Sequence, residues 1–129
     1  QPFPGEGIDQ VVGTESRGFI LGACVARELN AGFVPVRKPR KLPGKTMSIE
    51  YALEYGTDSL EIHADACDHT SRVLVVDDVL ATGATARATC ELVERTGAVV
   101  VGLTFLMELE FLKGRARLGD RRMEVVLRY

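Results

Sequence analysis

The 129-residue sequence predicts an α/β fold: a mainly parallel twisted sheet flanked by helices. Three observations carry this. Residues 72–76, Arg-Val-Leu-Val-Val, are an apolar, β-branched-rich run suited to a parallel strand buried on both faces. Residues 85–96 follow with helical periodicity, placing Ala86, Thr89, Cys90 and Val93 on one face and Arg87, Glu91, Glu94 and Arg95 on the other. Short apolar segments at 8–13, 33–36, 98–107 and 123–127 alternate with a second helical stretch at 18–30. Sheets of this class take ligands outside the carboxyl ends of their strands.

Taken in order, residues 1–7 are rich in Pro and Gly and read as an irregular lead-in. Residues 8–13 form a strand ending in glycine. In the helix at 18–30, Leu21, Val25 and Leu29 recur every four residues with Ile20 and Cys24 beside them, so the helix is expected to be largely buried. Asn30-Ala31-Gly32 ends it. Residues 33–36 are a second strand. Residues 37–45 hold Arg37, Lys38, Arg40, Lys41 and Lys45 among Pro39, Pro43 and Gly44, a basic, helix-breaking loop. Extended segments at 46–56 and 59–63 join around 55–58, and 64–71 is a polar connection. After the strand at 72–76 comes a loop at 77–84. The following helix carries i,i+4 pairs Arg87–Glu91 and Glu91–Arg95 and stops at Gly97.

Hydrophobic residues at 46% and charged residues at 26% describe one ordinary globular domain over residues 1–129. They exclude a disordered tail, a collagen-like fibre and a disulfide miniprotein. Sixteen basic against 18 acidic residues give a net charge of −2, so no global basic field holds nucleic acid and no nucleic-acid partner is expected. No apolar run approaches the roughly 20 residues that span a bilayer, so no membrane partner is expected either. Neither is a leader peptide. Cys24, Cys67 and Cys90 show no C-x-x-C spacing; Cys24 and Cys90 read as small buried hydrophobes, and a reducing cytoplasm is the expected location. His63 and His69 lack ligand spacing. There is no G-x-x-x-x-G-K-[ST] phosphate loop, and residues 13–18, Gly-Thr-Glu-Ser-Arg-Gly, are not a G-x-S-x-G elbow.

Residues 77–85, Asp-Asp-Val-Leu-Ala-Thr-Gly-Ala-Thr, hold the most chemistry. A buried strand ends in two carboxylates, a small-residue loop follows, and a helix begins. Ala81, Thr82, Gly83, Ala84 and Thr85 can wrap backbone N–H groups and two hydroxyls around a phosphate at the positive end of the helix dipole. Asp77 and Asp78 repel a phosphate and suit ribose hydroxyls or the water shell of Mg²⁺ beside it. The plainer alternative is a helix cap supplied by Thr82 or Thr85. Acids next to a phosphate cradle point to a sugar phosphate.

This segment resembles the phosphoribosyl pyrophosphate (PRPP) motif of the type I phosphoribosyltransferases, and Val76-Asp77-Asp78 with Ala81-Thr82-Gly83 resembles their adenine branch. Residues 11–19 look like that branch's pyrophosphate loop, 36–44 like its basic stretch, 51–56 like its flexible catalytic loop, and 106–115 like its late strand and turn. The similarity runs from about Ile8 to Tyr129.

The resemblance implies purine salvage: adenine and PRPP give AMP and pyrophosphate with Mg²⁺, in a homodimer. It places Glu15, Ser16 and Arg17 in the pyrophosphate loop, with a non-proline cis peptide at Glu15-Ser16. Arg37, Lys38 and Lys41 add charge for the pyrophosphate, Arg37 coming from the partner subunit, while Arg40 and Lys45 are solvated bystanders. Glu54 is the implied general acid/base near the purine N7, with Tyr55 beside it; loop closure would desolvate the acid and exclude water. Asp77 and Asp78 take the ribose and the Mg²⁺ shell, the metal being held mainly through PRPP and water.

Two departures stand out. Position 84 is Ala where the family's loop has a second Gly, which costs about 1 kcal/mol if the backbone there needs positive φ. The hood that covers the purine is largely missing from the sequence, which leaves the choice of base less determined than the PRPP site. Two other readings follow: a non-catalytic PRPP- or nucleotide-sensing regulatory domain of the same fold, and a phosphoribosyltransferase for another base. Glu54, Tyr55 and Arg17, and the lack of a basic recognition helix, argue for the enzyme.

Overall fold

The computed structural model describes residues 7–53 and 55–129. The elements are β1 (Gln10–Thr14), α1 (Arg17–Leu29), β2 (Gly32–Val36), β3 (Thr46–Ala52), β4 (Thr57–His63), β5 (Arg72–Leu80), α2 (Ala84–Arg95) and β6 (Val99–Glu108). A 3₁₀ turn at Glu110–Leu112, the short α3 (Arg115–Leu118) and β7 (Met123–Arg128) complete the described chain. Five strands form a parallel sheet in the order β2-β1-β5-β6-β7, and β3 and β4 pair antiparallel as a separate hairpin.

Strand alternation divides the core. Val11, Leu74 and Val76 pack with Ala26 of α1 on one face of the sheet. Val12, Val73 and Val75 join Cys90, Leu92 and Val93 of α2 on the other, and the hairpin adds Ile49, Leu60 and Ile62 to that same cluster. Fully burying side chains of this size contributes about 1.5–3 kcal/mol each. From β1 the chain moves outward to β2; from β5 it moves the opposite way to β6. The reversal lies between β1 and β5, so their carboxyl ends frame the crevice where such sheets bind ligands.

The structure corrects several expectations. β5 runs nine residues, through both aspartates to Leu80, rather than ending at Val76. The long neighbour β6 explains it by offering partners throughout: Asp77 lies opposite Phe105, Val79 opposite Met107 and Leu80 opposite Glu108. Helix α1 is not largely buried. It meets the sheet through Gly18, Gly22 and Ala26, while Ile20 on the opposite face is 71% exposed and Cys24 is exposed too. The small face permits a close approach: a Cβ on Gly22 would lie 2.7 Å from the Phe33 ring. Cys90 is buried as expected. In the hairpin, β4 already starts at Thr57, so the turn is nearer β3 than expected, with Leu53 N–H donating to the Gly56 carbonyl at 2.9 Å. Arg87 pairs with Glu91 at 2.9 Å, while Arg95 turns to the hairpin and donates to the Ser48 carbonyl at 3.1 Å.

Candidate active site

A cleft of about 460 Å³ opens at the carboxyl ends of β1 and β5. One wall is the turn from β1 into α1, the floor is the end of β5, and the far wall is the turn into α2. Of the residues singled out from sequence, Glu15, Ser16, Arg17, Lys38, Asp77, Asp78, Ala81, Thr82, Gly83 and Thr85 line it. Thr14, Val79, Leu80 and Ala86 also line it and were not foreseen. Thr14 is nearly buried; its hydroxyl lies 3.1 Å from that of Thr89, which in turn donates to the Thr85 carbonyl at 2.9 Å. This chain of contacts ties the end of β1 to the first turn of α2.

At the β1–α1 turn the Glu15–Ser16 peptide is cis. The Glu15 side chain is only 12% exposed and faces the basic stretch. It accepts 2.7 Å hydrogen bonds from Lys38 N–H and Lys41 Nζ, and Arg37 Nε approaches at 3.4 Å. Burial pushes this carboxyl up, but the donors Lys41, Lys38 and Arg37 outweigh it and hold it below the usual glutamate value. Lys38 reaches the other way to Asp58 at the start of β4. Desolvation lowers the Lys38 ammonium, but Asp58 and Tyr51 together outweigh it, so its pKa ends above the ordinary lysine value. Arg37 stacks over Phe19 with its guanidinium carbon 5.6 Å from the ring centroid. The basic stretch is thus held by two acids, Glu15 in the β1–α1 turn and Asp58 on the hairpin, both of them bonded to Lys38.

The aspartates at the end of β5 occupy different environments. Burial, against a backbone hydrogen bond from Asp78 N–H and with the like charge of Asp78 adjacent, pushes the Asp77 carboxyl up to about 7. Asp78 accepts from Val79 N–H at 2.9 Å and from Arg17 Nη1 at 3.2 Å. Arg17 is itself 78% exposed, so its charge stays available to the cleft.

In the turn beyond, Gly83 is the N-cap of α2, at φ +86°, where a side chain would be strained. Neither threonine fills the cap position expected of it; Thr82 Oγ1 instead accepts from Ala84 N–H at 3.3 Å. Ala84 is the first helical residue and is not among the positive-φ residues, so its methyl carries no backbone cost.

Ala84, Arg37 and Lys41 stand outside the cleft lining, Arg37 and Lys41 reaching it through Glu15. Tyr55 is 88% exposed at the hairpin turn and is not brought to the cleft. Glu54 lies outside the described residues.

The sequence matches the family described as phosphoribosyl transferase domain over residues 4–126. The chain belongs to the phosphoribosyltransferase family. Its relatives place it on the adenine branch. It is 57% identical over 127 residues to the adenine phosphoribosyltransferase of Koribacter versatilis, covering 98% of this chain and 70% of that protein. To the adenine phosphoribosyltransferase of Flavobacterium johnsoniae it is 57% identical over 125 residues, covering 97% and 74%. The crystal structure of the Rhodothermus marinus adenine phosphoribosyltransferase superposes with a TM-score of 0.96 at 55% identity, over 99% of this chain and 73% of that one. That of the Saccharomyces cerevisiae enzyme, complexed with an imino-altritol bisphosphate and adenine, gives 0.92 at 47% identity, over 97% and 70%. The type I phosphoribosyltransferase fold expected from the sequence is therefore the fold observed.

Proposed function

We propose that this chain, a single phosphoribosyltransferase domain, transfers the phosphoribosyl group of PRPP to adenine, giving AMP and pyrophosphate in purine salvage. The observation that carries this is one cleft joining two acids, a phosphate-sized turn and a basic rim, in a chain of the adenine branch. In the reaction the bond from ribose C1 to pyrophosphate breaks, a bond from purine N9 to C1 forms, and N9 gives up its proton. The chain's part is to position the reactants and to stabilise charge on the leaving group.

The N–H groups and hydroxyls of residues 81–85 receive the 5′-phosphate at the N-terminus of α2. Asp77 and Asp78 face the ribose hydroxyls. Glu15 and Ser16 contribute the turn, and Arg17 and Lys38 the charge, that meet the pyrophosphate; Arg37 and Lys41 add to this field. In a homodimer the Arg37 that adds to this field comes from the partner subunit, and the exposed Ile20 face of α1 leaves apolar surface for such contacts. Among the described residues no three metal-ligating side chains converge. The acids present fit a Mg²⁺ held by Asp77 and Asp78 through water and by the substrate's own oxygens, the usual way this ion is bound beside phosphates. Bound there, it neutralises charge on the diphosphate. Glu54 exchanges the proton at the purine, with Tyr55 beside it, once the hairpin turn closes over the cleft and excludes water. The free cysteines Cys24, Cys67 and Cys90 support a reducing cytoplasm as the place of the reaction.

A chromatographic product assay tests this. The chain, Mg²⁺ and PRPP are mixed with adenine, guanine, hypoxanthine, xanthine or uracil in turn. AMP from adenine, with no nucleotide from the others, is the expected result. No product from any base while PRPP binds would instead support a sensing domain, and a nucleotide of another base would reassign the substrate.

A further inference from the structure

The turn into α2 is packed against a segment 31 residues further along the chain. β6 ends at Glu108, and the next residue, Leu109, donates its N–H to the Leu80 carbonyl at 2.9 Å, extending the sheet beside the cleft. The 3₁₀ turn then brings Gly114, which is buried, onto the phosphate-binding turn. A Cβ on Gly114 would lie 2.4 Å from the Ala81 carbonyl oxygen and 2.9 Å from the Leu80 side chain. A Cβ on Gly83 would lie 2.5 Å from the Gly114 carbonyl oxygen. The two backbones are in direct contact with no room for a methyl between them.

Conformation does not explain the glycine at 114, because its φ of −59° and ψ of −30° are open to any residue. Only the close approach requires it. Gly114 is held in place from both sides. Leu118, one turn on, is fully buried in the main core. Arg115 Nε donates to both carboxylate oxygens of Glu108, at 3.0 and 2.8 Å. That carboxylate is 3% exposed and also has Arg128 Nε at 3.6 Å. A buried carboxylate with two arginine partners fixes the turn far more firmly than a surface pair would.

We infer that Gly114, clamped by Glu108 and Arg115, is a positioning residue for the reaction: it sets where the amides of residues 81–85 stand and so tunes affinity for the 5′-phosphate. This rests on the assignment of that turn to the 5′-phosphate. A methyl at 114 has to displace the Ala81 carbonyl. The displacement passes to the amides that follow, while the pyrophosphate side, on β1 and α1, is untouched.

The test is calorimetric titration of the full chain with two probes, ribose 5-phosphate and inorganic pyrophosphate with Mg²⁺. For Gly114→Ala the expected result is at least a tenfold loss of affinity for ribose 5-phosphate with pyrophosphate affinity unchanged. In turnover, the KM for PRPP rises and that for adenine does not. Glu108→Gln, which keeps the shape and releases the two half-exposed arginines to water, gives a smaller loss with the same selectivity and serves if Gly114→Ala fails to fold. Unchanged ribose 5-phosphate affinity, or equal losses for both probes, would overturn the inference. Because the probes need no adenine, a wild-type chain that makes no AMP but binds both would refute the enzymatic reading and leave this test intact.

Discussion

The turn between β5 and α2 lines the cleft, the hairpin of β3 and β4 lies outside that lining and is joined to it through Asp58 and Lys38, and the two are built in opposite ways. The first stands on Val73–Val76, each buried to within a few percent, and is backed by Gly114. The second packs its base into the core through Ile49, Leu60 and Ile62 but leaves Leu53 and Tyr55 exposed at its turn. The turn proposed to take the phosphate is therefore preorganised, whereas Tyr55, proposed to act beside the purine, lies 88% exposed and away from the cleft. The basic stretch links the two, with Lys38 bonded by its backbone to Glu15 and by its side chain to Asp58.

The sharpest way to break this comparison is to remove the acids from the preorganised side. Asp77→Asn with Asp78→Asn is expected to lower turnover about a thousandfold or more while the far-ultraviolet circular dichroism is unchanged. Turnover near that of the parent would remove the aspartates from the site. Next in size, Arg17→Ala is expected to raise the PRPP concentration needed for half-maximal rate roughly tenfold, consistent with loss of a charge-assisted contact. Unchanged PRPP kinetics would place Arg17 outside the pyrophosphate position.

Glu15→Gln probes the link between the two regions. Losing a buried carboxylate that anchors three basic residues costs about 1–3 kcal/mol, read as a drop of several degrees in the thermal midpoint together with a higher PRPP requirement. A lowered midpoint with normal PRPP kinetics would make Glu15 purely structural.

The smallest expected effect concerns Asp77 in the ligand-free chain. Its carboxyl is raised from 3.8 to about 7, so between these values the unfolded chain binds fewer protons than the folded one. Stability contributed by this group therefore falls as pH rises through that window. Asp77→Asn removes the penalty: the variant's thermal midpoint should match the parent's near pH 4 and exceed it at pH 8. A midpoint difference that does not grow with pH would contradict the buried setting of Asp77.

The preorganised region was also the more legible in sequence. A β-branched-rich run, paired acids, a small-residue turn and an amphipathic helix are all local signals, and the resemblance named their family. What escaped were consequences of distant partners. β5 extends to Leu80 because β6 lies beside it, which no window around residue 77 reveals. Glu15 was placed in its turn, but its bonds to Lys38 and Lys41 cross more than 20 residues. Periodicity marks Leu21, Val25 and Leu29, which do pack, partly buried, on the α1 side of the sheet, but Ile20 and Cys24 beside them are exposed, because the face that approaches closely is the small one of Gly18, Gly22 and Ala26. The methyl of Ala84 is tolerated for a local reason: positive φ falls on Gly83, one residue earlier.

The central claim is that residues 81–85 receive the 5′-phosphate while Asp77 and Asp78 face the ribose. A crystal structure of the full chain with AMP tests it most directly. The account predicts the phosphate on the amides at the start of α2 and the ribose hydroxyls toward the two aspartates. A phosphate bound instead at the β1–α1 turn, or a nucleotide outside the cleft, would contradict it.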